Sequence, residues 1–414
     1  MMKKITLIFA GIISVFNLNA QVSETVSVGA GYANNVYYSL ENDEVKTIDI
    51  ADWDIAFQVA GMSSTIRTNG ANGIELYNYA KGDTSHWSSI DTAGISGWKK
   101  YYNSDSLWSM GAFSQAKSSD MMDLGWGKYS MLTHYVTADS LFVLKLANGA
   151  YKKLWIDRLA SGVYYFKHAD LDGSNEMLDT LKKEDYPDRN FGYYSLQNGT
   201  KTNREPDNKS WDLVFGKYAK ELVPGYVMGV TGVLANSGVS INKVSKVASA
   251  NADTLNTSFS SNIAEIGYNW KKYSYANSNY AAEDSLTYFV KSIVGDVWKV
   301  VFTGFEGSST GNFMFTKEKM IALSLEEGLA FSKLEIYPNP ATDFVNIVFN
   351  QKEGGALQLN LYSLSGKLIQ TKSLNETQAG INQQNLNVSN LPTGMYVLSI
   401  NSLHGKVQQT IIVK

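Results

Sequence analysis

A long internal repeat constrains this chain more than any other feature of its sequence. Tyr-Tyr-Ser-Leu occurs at residues 37–40 and again at 193–196, and Trp-Asp followed by three apolar residues occurs at 53–57 and 211–215. Later in each copy, Asp-Ser-Leu opens an apolar run, which a glycine turn joins to a second run. Landmarks repeated in one order indicate a duplicated domain of roughly 130–150 residues, which is within the usual range.

Each copy is predicted to be β structure. Phe142, Leu144 and Leu146 alternate along one run, and the Asn-Gly that follows supplies the positive φ values of a tight hairpin. The 25 tyrosines and 9 tryptophans fit pleated, half-buried surfaces. We expect each Trp-Asp pair to begin a strand, with its indole in the core and its carboxylate accepting hydrogen bonds from backbone N–H groups or from a nearby Arg. The sequence therefore predicts an all-β fold.

Charge and composition exclude several classes of function. The 36 basic and 39 acidic residues give a net charge of −3, which leaves no electrostatic footprint for nucleic acid. The absence of cysteine excludes disulfides and thiolate chemistry. No His-Glu-x-x-His, Gly-x-Ser-x-Gly or Gly-Lys-Thr motif occurs, so we expect no enzyme. Carboxylates paired only in space, as in glycoside hydrolases, stay open.

Residues 1–20 are predicted to be a signal peptide. Lys3 and Lys4 precede an apolar stretch at 5–16, which is shorter than the roughly 20 residues that a membrane-spanning helix needs. Leu-Asn-Ala at 18–20 then offers a cleavage site before Gln21. No later segment is apolar enough to span a membrane. We therefore expect passage through the periplasm, followed by secretion or attachment to the outer-membrane surface.

The first copy resembles the HmuY family of haem-binding proteins. The resemblance rests on residues 53–57, on Thr-Ile-Arg-Thr-Asn-Gly at 65–70, and on the hairpin sequence at 141–154. It extends more faintly over the second copy, which lacks the Thr-Asn-Gly turn. The resemblance implies two HmuY-like β domains in tandem, at residues 21–180 and 181–322. It also implies haem held between long loops by two axial His or Met side chains.

His86, Met121 and Met122 are the candidate haem ligands. Haem iron takes imidazole or thioether ligands, and these residues lie in two polar, loop-like stretches where the family carries its ligands. The alternative is that the methionines are apolar packing residues. His134 and His168 are interpreted as surface or strand-end residues. The second copy has no histidine, so haem ligation does not extend to it.

An acidic turn follows the last strand predicted in the first copy. Asp170, Asp172, Asn175 and Glu176 bring hard oxygen ligands together, and such ligands suit calcium. The turn lacks the full spacing of a calcium loop, so a plain acidic turn is the alternative.

Residues 334–414 resemble the type A sorting domain of the type IX secretion system. A linker is predicted at 323–333, and alternation at Leu357, Leu359 and Leu361 predicts an immunoglobulin-like β-sandwich after it. The resemblance implies recognition by the secretion translocon and processing by its sortase machinery, often with attachment to a surface glycolipid. The sorting signal is assigned to Tyr337, Pro338, Asn339, Pro340, Gly366, Gly394 and Tyr396.

Together these patterns predict a secreted or surface-attached, non-catalytic ligand-binding protein. Haem, free or carried by a haemoprotein, is the candidate ligand. The alternative is a surface adhesion or structural protein that keeps the HmuY-like fold without binding haem, and an unrecognised hydrolase ranks third.

Overall fold

The computed structural model describes residues 21–254, 258–320, 331–363, 367–402 and 405–414. The predicted signal peptide, most of the predicted linker and Gly366 lie outside these ranges. The chain divides into two compact units, Met1–Met320 and Ile321–Lys414. Both are built of antiparallel sheets, so the all-β prediction is confirmed.

The first unit contains most of the strands. In chain order they are β1 (Val22–Ser27), β2 (Asn34–Ser39), β3 (Asp43–Asp49), β4 (Ile55–Gln58), β5 (Ile66–Thr68), β6 (Glu75–Asn78), β7 (Lys100–Tyr101), β8 (Gly127–Tyr129), β9 (Val136–Ala138), β10 (Phe142–Lys145), β11 (Tyr151–Ala160), β12 (Val163–Asp170), β13 (Met177–Lys182), β14 (Phe191–Ser195), β15 (Thr200–Thr202), β16 (Leu213–Val223), β17 (Tyr226–Ala235), β18 (Ser240–Ser245), β19 (Lys271–Ser274), β20 (Asn279–Ala282), β21 (Leu286–Lys291), β22 (Val297–Phe305) and β23 (Asn312–Met320). Short 3₁₀ turns lie between them at Ala30–Tyr32, Gly70–Asn72, Thr84–Ser89, Ile95–Gly97, Ala112–Ala116, Lys183–Asp185, Ser249–Asn251 and Gly307–Ser309.

The two copies build matching sheets from matching strands. The order β13-β12-β11-β10-β6 in one sheet corresponds to β1-β23-β22-β21-β18 in another. A bulge interrupts both at the same place, after Ile156 in β11 and after Phe302 in β22. The common order and the common bulge agree with the duplication inferred from the sequence. Both predicted hairpins form, β10–β11 and β21–β22, with Gly149 and Gly295 at positive φ in their turns.

The copies exchange strands reciprocally. β2 carries the first Tyr-Tyr-Ser-Leu and pairs with β16 of the second copy, whereas β14 carries the second and pairs with β4 of the first. β1 also pairs with β23. The pairing thus crosses the boundary predicted between residues 180 and 181 in both directions. We therefore call residues 53–202 the first repeat, and residues 22–49 with 211–320 the second repeat.

Each repeat encloses its own hydrophobic core. Core one is formed by buried residues that run from Ile55 to Leu196 in the sequence. Core two joins residues 26–40 to residues between Leu213 and Phe315. Tyr194 fills core one and Tyr38 fills core two, and both are fully buried. Each core is therefore completed by the strand that carries Tyr-Tyr-Ser-Leu from the other copy.

The Trp-Asp pairs fix these exchanged strands. The Asp54 N–H donates to the Tyr194 carbonyl at 2.9 Å, and the Asp212 N–H donates to the Tyr38 carbonyl at 2.8 Å. The Asp54 carboxylate accepts the Gln197 N–H, and the Asp212 carboxylate accepts the Leu40 N–H. The prediction that the carboxylates accept backbone N–H groups is confirmed, and in each case the donor belongs to the turn after the exchanged strand.

The second unit is a β-sandwich, as predicted. Its sheets have the orders β24-β25-β28 and β27-β26-β29-β30. Leu357, Leu359 and Leu361 all face its core. The strands are β24 (Phe331–Tyr337), β25 (Phe344–Gln351), β26 (Gly355–Ser363), β27 (Leu368–Thr377), β28 (Gly380–Asn387), β29 (Gly394–Ser402) and β30 (Gly405–Val413).

Candidate functional site

A cavity of about 110 Å³ is lined by residues of both repeats in the first unit. Its aromatic walls follow from the period of two along each exchanged strand. Tyr38 and Tyr194 enter the cores, so their neighbours Tyr37 and Tyr193 line the cavity instead. The strand exchange places an indole beside each phenol: Trp211 packs edge-to-face on Tyr37, and Trp53 on Tyr193, each at 5.0 Å between ring centroids.

Two indole N–H groups in the cavity wall lack hydrogen-bond partners. Neither Trp53 Nε1 nor Trp211 Nε1 has an acceptor among the residues that the structure describes, although both atoms are buried. Trp108, which also lines the cavity, does donate its Nε1–H to the Ala235 carbonyl at 2.8 Å. A buried donor without a hydrogen-bond partner costs about 1–3 kcal/mol, so the polar groups of this wall are less completely hydrogen-bonded than those of an ordinary core.

Arg204 is the most deeply placed charge in the wall. It is only 1% exposed and forms an ion pair with Asp52. Its guanidinium also donates to the Asp49 carbonyl and to Asn35 Oδ1, at 3.0 and 2.9 Å. The same group lies 5.4 Å from the centroid of the Tyr193 ring. Arg204 therefore links strands of both repeats while it presents a positive charge to the aromatic wall.

Arg67 is a second buried cation, and unlike Arg204 it is surrounded by backbone carbonyl groups. Its Nη1 donates to the carbonyls of Leu107 and Trp108 at 3.0 Å each, and its Nη2 donates to that of Ser104 at 2.9 Å. Burial lowers the pKa of Arg67 to about 10, so it stays protonated at neutral pH. Among the residues that the structure describes, no carboxylate forms an ion pair with Arg67.

Glu205 is the buried acid of the wall. It accepts the Phe191 N–H at 2.8 Å and the Asn190 side-chain amide at 2.6 Å. Burial raises the pKa of Glu205 to about 7 against the opposing effect of these hydrogen bonds. Both carboxylate oxygens are therefore occupied by protein donors. These hydrogen bonds hold the chain at Asn190 and Phe191 in place beside the cavity.

The candidate haem ligands lie elsewhere. His86 lies in the Thr84–Ser89 turn, half exposed, with Nδ1 3.4 Å from Asp83 Oδ1. Met121 is 89% exposed, and Met122 is half-buried in the same turn. None of the three lines the cavity. The structure places His86 and Met121 at the surface of the first repeat.

His168 differs from its interpretation as a solvated strand end. It is 1% exposed, and its Nε2 lies 3.1 Å from the Tyr194 hydroxyl. Burial, followed by the positive charge of Lys152, lowers the pKa of His168 to about 4. The reason for the difference is the exchanged strand β14, which covers this face of β12 and is distant in sequence.

The acidic turn has protein partners throughout. Asp170 pairs with Lys152 at 2.7 Å and accepts the Asn175 amide at 2.6 Å. Asp172 accepts the Ser174 hydroxyl, and Glu176 accepts the Trp87 Nε1–H at 2.7 Å. Within the described ranges, no group of three or more His, Asp or Glu is placed to hold a metal ion. The calcium site stays a prediction, which calorimetric titration of the protein with calcium checks.

The sorting motif is hydrogen-bonded, through Asn339, to β30, the last strand of the second unit. β24 ends at Tyr337, immediately before Pro338, as expected from the missing N–H of proline. Asn339 Oδ1 accepts the Ile412 N–H at 2.8 Å, and its Nδ2 donates to the Thr410 carbonyl at 3.1 Å. β29 begins at Gly394, and the Tyr396 hydroxyl donates to the Pro392 carbonyl at 2.8 Å. The motif is thus part of the sandwich framework.

Sequence reasoning missed most of the cavity. The Trp-Asp indoles are predicted only as core residues. Arg67 lies in the Thr-Ile-Arg-Thr-Asn-Gly segment at 65–70 but has no predicted role there, and Arg204 and Glu205 belong to no predicted motif. One signal was available. Each Tyr-Tyr pair alternates across a strand, so one tyrosine of each pair had to face away from its core.

Comparison with known proteins identifies the C-terminal unit. Residues 335–414 match the family of secretion system C-terminal sorting domains. This unit is therefore a type IX sorting domain, which implies interaction with the type IX machinery and export to the cell surface or medium. No curated protein matches the chain. No helix of the described residues is long and apolar enough to cross a bilayer.

One solved structure similar to this chain is dimeric latent PorU from Porphyromonas gingivalis, at 9% identity and a TM-score of 0.17. The match covers 94% of this chain and 34% of that one, so the chain spans about a third of that protein. A score this low supports no inference about the first unit.

Proposed function

We propose that this protein is a non-catalytic binding protein that takes up a small ligand outside the cell or on its surface. The sorting domain supplies export, and the cavity between the repeats supplies the site. The observation that carries the proposal is the composition of that cavity. The cavity wall contains three buried ionisable residues, Arg67, Arg204 and Glu205, among tryptophan and tyrosine rings. Burying a charged group costs free energy, and apolar residues would be enough if the wall only had to pack.

The size of the cavity sets the scale of the ligand. An apolar protein cavity of about 150 Å³ holds benzene, so a cavity of about 110 Å³ corresponds to a single small ring. Arg67 has a positive charge without a carboxylate partner, and two indole N–H groups of the wall lack acceptors. A single ring that bears a carboxylate matches these features. A porphyrin, with four pyrrole rings, is too large for this cavity.

Titration of the whole protein with benzoate tests the proposal, with benzyl alcohol as the uncharged probe of similar size. Three tryptophans line the cavity, so intrinsic fluorescence reports binding. We expect saturable quenching with benzoate and weaker binding of the alcohol. Ala219→Leu, which narrows the cavity, is expected to abolish binding, whereas Ala150→Leu in an exposed turn leaves it unchanged. Equal binding of benzoate by both variants would show that the cavity is not the binding site.

Haem is the second candidate ligand, and it belongs to the loops outside the cavity. The exposed imidazole of His86 supports it, because Asp83 lies within 3.4 Å of Nδ1 and a carboxylate commonly orients an iron-binding histidine in this way. The exposed thioether of Met121 has the chemistry of a second ligand. His86 would hold the iron through Nε2. The haem candidate follows from the resemblance of the repeats to the HmuY family, and that resemblance stays a prediction.

Haemin titration followed in the Soret region tests this candidate. We expect a saturable shift in the whole protein that is lost in His86→Ala and weakened in Met121→Ala/Met122→Ala. His134→Ala, on an exposed hairpin, is the matched control. If the shift is absent, or survives in His86→Ala, haem is excluded at this position. The surface adhesion alternative then becomes the main rival to the small-ligand proposal.

A further inference from the structure

A groove of about 520 Å³ crosses β11, β12 and β13 on the surface of the first repeat. Two cross-strand rows of side chains form it. The first row, in register, is Trp155, Lys167 and Leu178. The groove is well separated in sequence and sheet from the cavity between the repeats, and its volume lies within the roughly 300–1,000 Å³ typical of ligand sites.

The second row, also in register, is Arg158, Tyr165 and Thr180. The Arg158 guanidinium lies 4.0 Å from the centroid of the Tyr165 ring. In the first row, the Lys167 ammonium lies 4.6 Å from the Trp155 ring centroid. Both rows therefore combine a cation with an aromatic ring, and Leu178, which is 77% exposed, adds an apolar edge.

The second repeat provides an internal comparison. Its matching rows, located by the same bulge, are Val301, Thr316 and Ser23, and Gly304, Met314 and Thr25. These rows carry neither a cation nor an aromatic ring. The same sheet therefore forms without such groups, so folding does not require the aromatic and charged rows of the first repeat. Their presence on one copy alone points to a ligand.

One of the two cations in the groove forms no ion pair with a described residue. Arg158 pairs with its neighbour Asp157, and Asp179 pairs with Lys201 at 2.8 Å. Lys167 lies over the rings of Trp155 and Trp87, at 4.6 and 4.5 Å from their centroids, and forms no ion pair with any described residue. Lys167 is therefore available to pair with the anionic group of a ligand. Asp157 adds a carboxylate acceptor to the groove lining, whereas Asp179 is in register with Phe166 and directs its carboxylate to the opposite face of the sheet.

We propose that this groove binds an acidic saccharide, with the carboxylate of a uronic acid on Lys167 and sugar hydroxyls on the neighbouring polar groups. Sugar hydroxyls both donate and accept, which suits a site that offers lysine and threonine donors together with an aspartate acceptor. The apolar face of a sugar ring suits the half-buried rings of Trp155 and Tyr165. The inference is independent of the ligand of the cavity.

Calorimetric titration of the whole protein tests this inference, with trigalacturonate as the acidic probe and maltotriose as the neutral one. We expect saturable binding of trigalacturonate that weakens with added salt, and at least tenfold weaker binding of maltotriose. Lys167→Gln is expected to reduce trigalacturonate affinity at least tenfold. Lys145→Gln, on neighbouring β10 outside the groove, is the matched control and is expected to bind normally.

A second variant distinguishes loss of binding from loss of folding. Arg158→Gln changes the other row at an exposed position, and it is expected to weaken trigalacturonate binding while the unfolding midpoint stays the same. Equal affinity for the two trisaccharides, or undiminished binding by both groove variants, overturns the proposal. Haemin binding that Lys167→Gln weakens, without binding of either trisaccharide, also overturns it. Failure of the benzoate titration has no bearing on these outcomes.

Discussion

At the scale of single residues, the polar groups that matter most connect one sequence copy to the strand exchanged from the other copy. Asp54 and Asp212 accept backbone N–H groups of the turns that follow the exchanged strands. His168 likewise meets the Tyr194 hydroxyl of β14. Each of these side chains is buried, so a lost partner is not replaced by water. Their substitution therefore affects stability more than exposed charges do.

We expect Asp212→Ala to lower the free energy of unfolding by about 1–3 kcal/mol, because the Leu40 N–H is left buried without an acceptor. Asp212→Asn keeps an acceptor oxygen and is expected to lose less. Urea unfolding measures both. Asp172→Ala, in the exposed acidic turn, is the control and is expected to change little. Similar losses for Asp172→Ala and Asp212→Ala would contradict the assigned role.

His168 makes stability depend on pH. Its pKa of about 4 in the folded protein lies below the ordinary value near 6.5, so the unfolded chain binds the proton first as pH falls. Between pH 6.5 and 4 the folded state is therefore expected to lose up to about 3 kcal/mol through this group. Urea unfolding across this range measures the loss.

The difference between the parent protein and His168→Gln isolates this contribution from other titrating groups, among them Glu205. We expect the variant to lose less stability than the parent between pH 6.5 and 4. His134→Gln, on the exposed hairpin, is expected to follow the parent protein. An identical pH dependence in His168→Gln would show that the buried histidine makes no contribution.

At the scale of elements, strand exchange makes the two sequence copies interdependent, and the two repeats that result differ in how the chain builds them. Core one is drawn entirely from a continuous stretch of chain, from Ile55 to Leu196. Core two needs the N-terminal strands β1 and β2 together with residues from Leu213 to Phe315. The first repeat is therefore inserted, in the sequence, between the two parts of the second.

We expect a fragment of residues 51–202 to fold alone, because it contains all of core one. A fragment of residues 21–180, which ends at the predicted domain boundary, is expected to fail because it lacks Tyr194 and Leu196. Near-ultraviolet circular dichroism and the cooperativity of thermal unfolding distinguish the two. A cooperative transition in fragment 21–180 alone would favour tandem domains and contradict the exchange of strands.

At the scale of the whole molecule, the proposed binding sites and the sorting domain belong to different units. The cavity and the groove lie in Met1–Met320, and the sorting domain lies in Ile321–Lys414. Asn339 joins the sorting motif to β30 by two hydrogen bonds, so the motif depends on the folded sandwich. Loss of the second unit should therefore stop export without removing the binding sites.

Deletion of residues 335–414 is expected to leave the protein in the periplasm, where cell fractionation followed by immunoblotting detects it. The parent protein is expected at the cell surface or in the medium. Ala219→Leu in the otherwise complete chain is the control, because it alters the cavity and keeps the sorting domain. Surface display of the deletion variant would show that another signal directs export.

Local sequence determined much of this protein. Alternation at Leu357, Leu359 and Leu361 predicted sandwich strands, and Asn-Gly predicted a hairpin, because side-chain period and turn conformation depend on adjacent residues. The repeat, the acceptor role of the Trp-Asp carboxylates and the sorting domain were also predicted from short segments. Each of these predictions starts from a short motif, although the partners of Asp54 and Asp212 lie more than 100 residues away in the sequence.

Only the tertiary structure decided which copies of the strands pair. Tyr-Tyr-Ser-Leu and Trp-Asp occur in both copies, so alternation is satisfied whether a strand pairs within its own copy or with the other. The exchange places Tyr37 beside Trp211 and Tyr193 beside Trp53, and it brings β14 over His168. The cavity and the buried histidine depend on contacts between segments far apart in sequence, and local patterns do not specify such contacts.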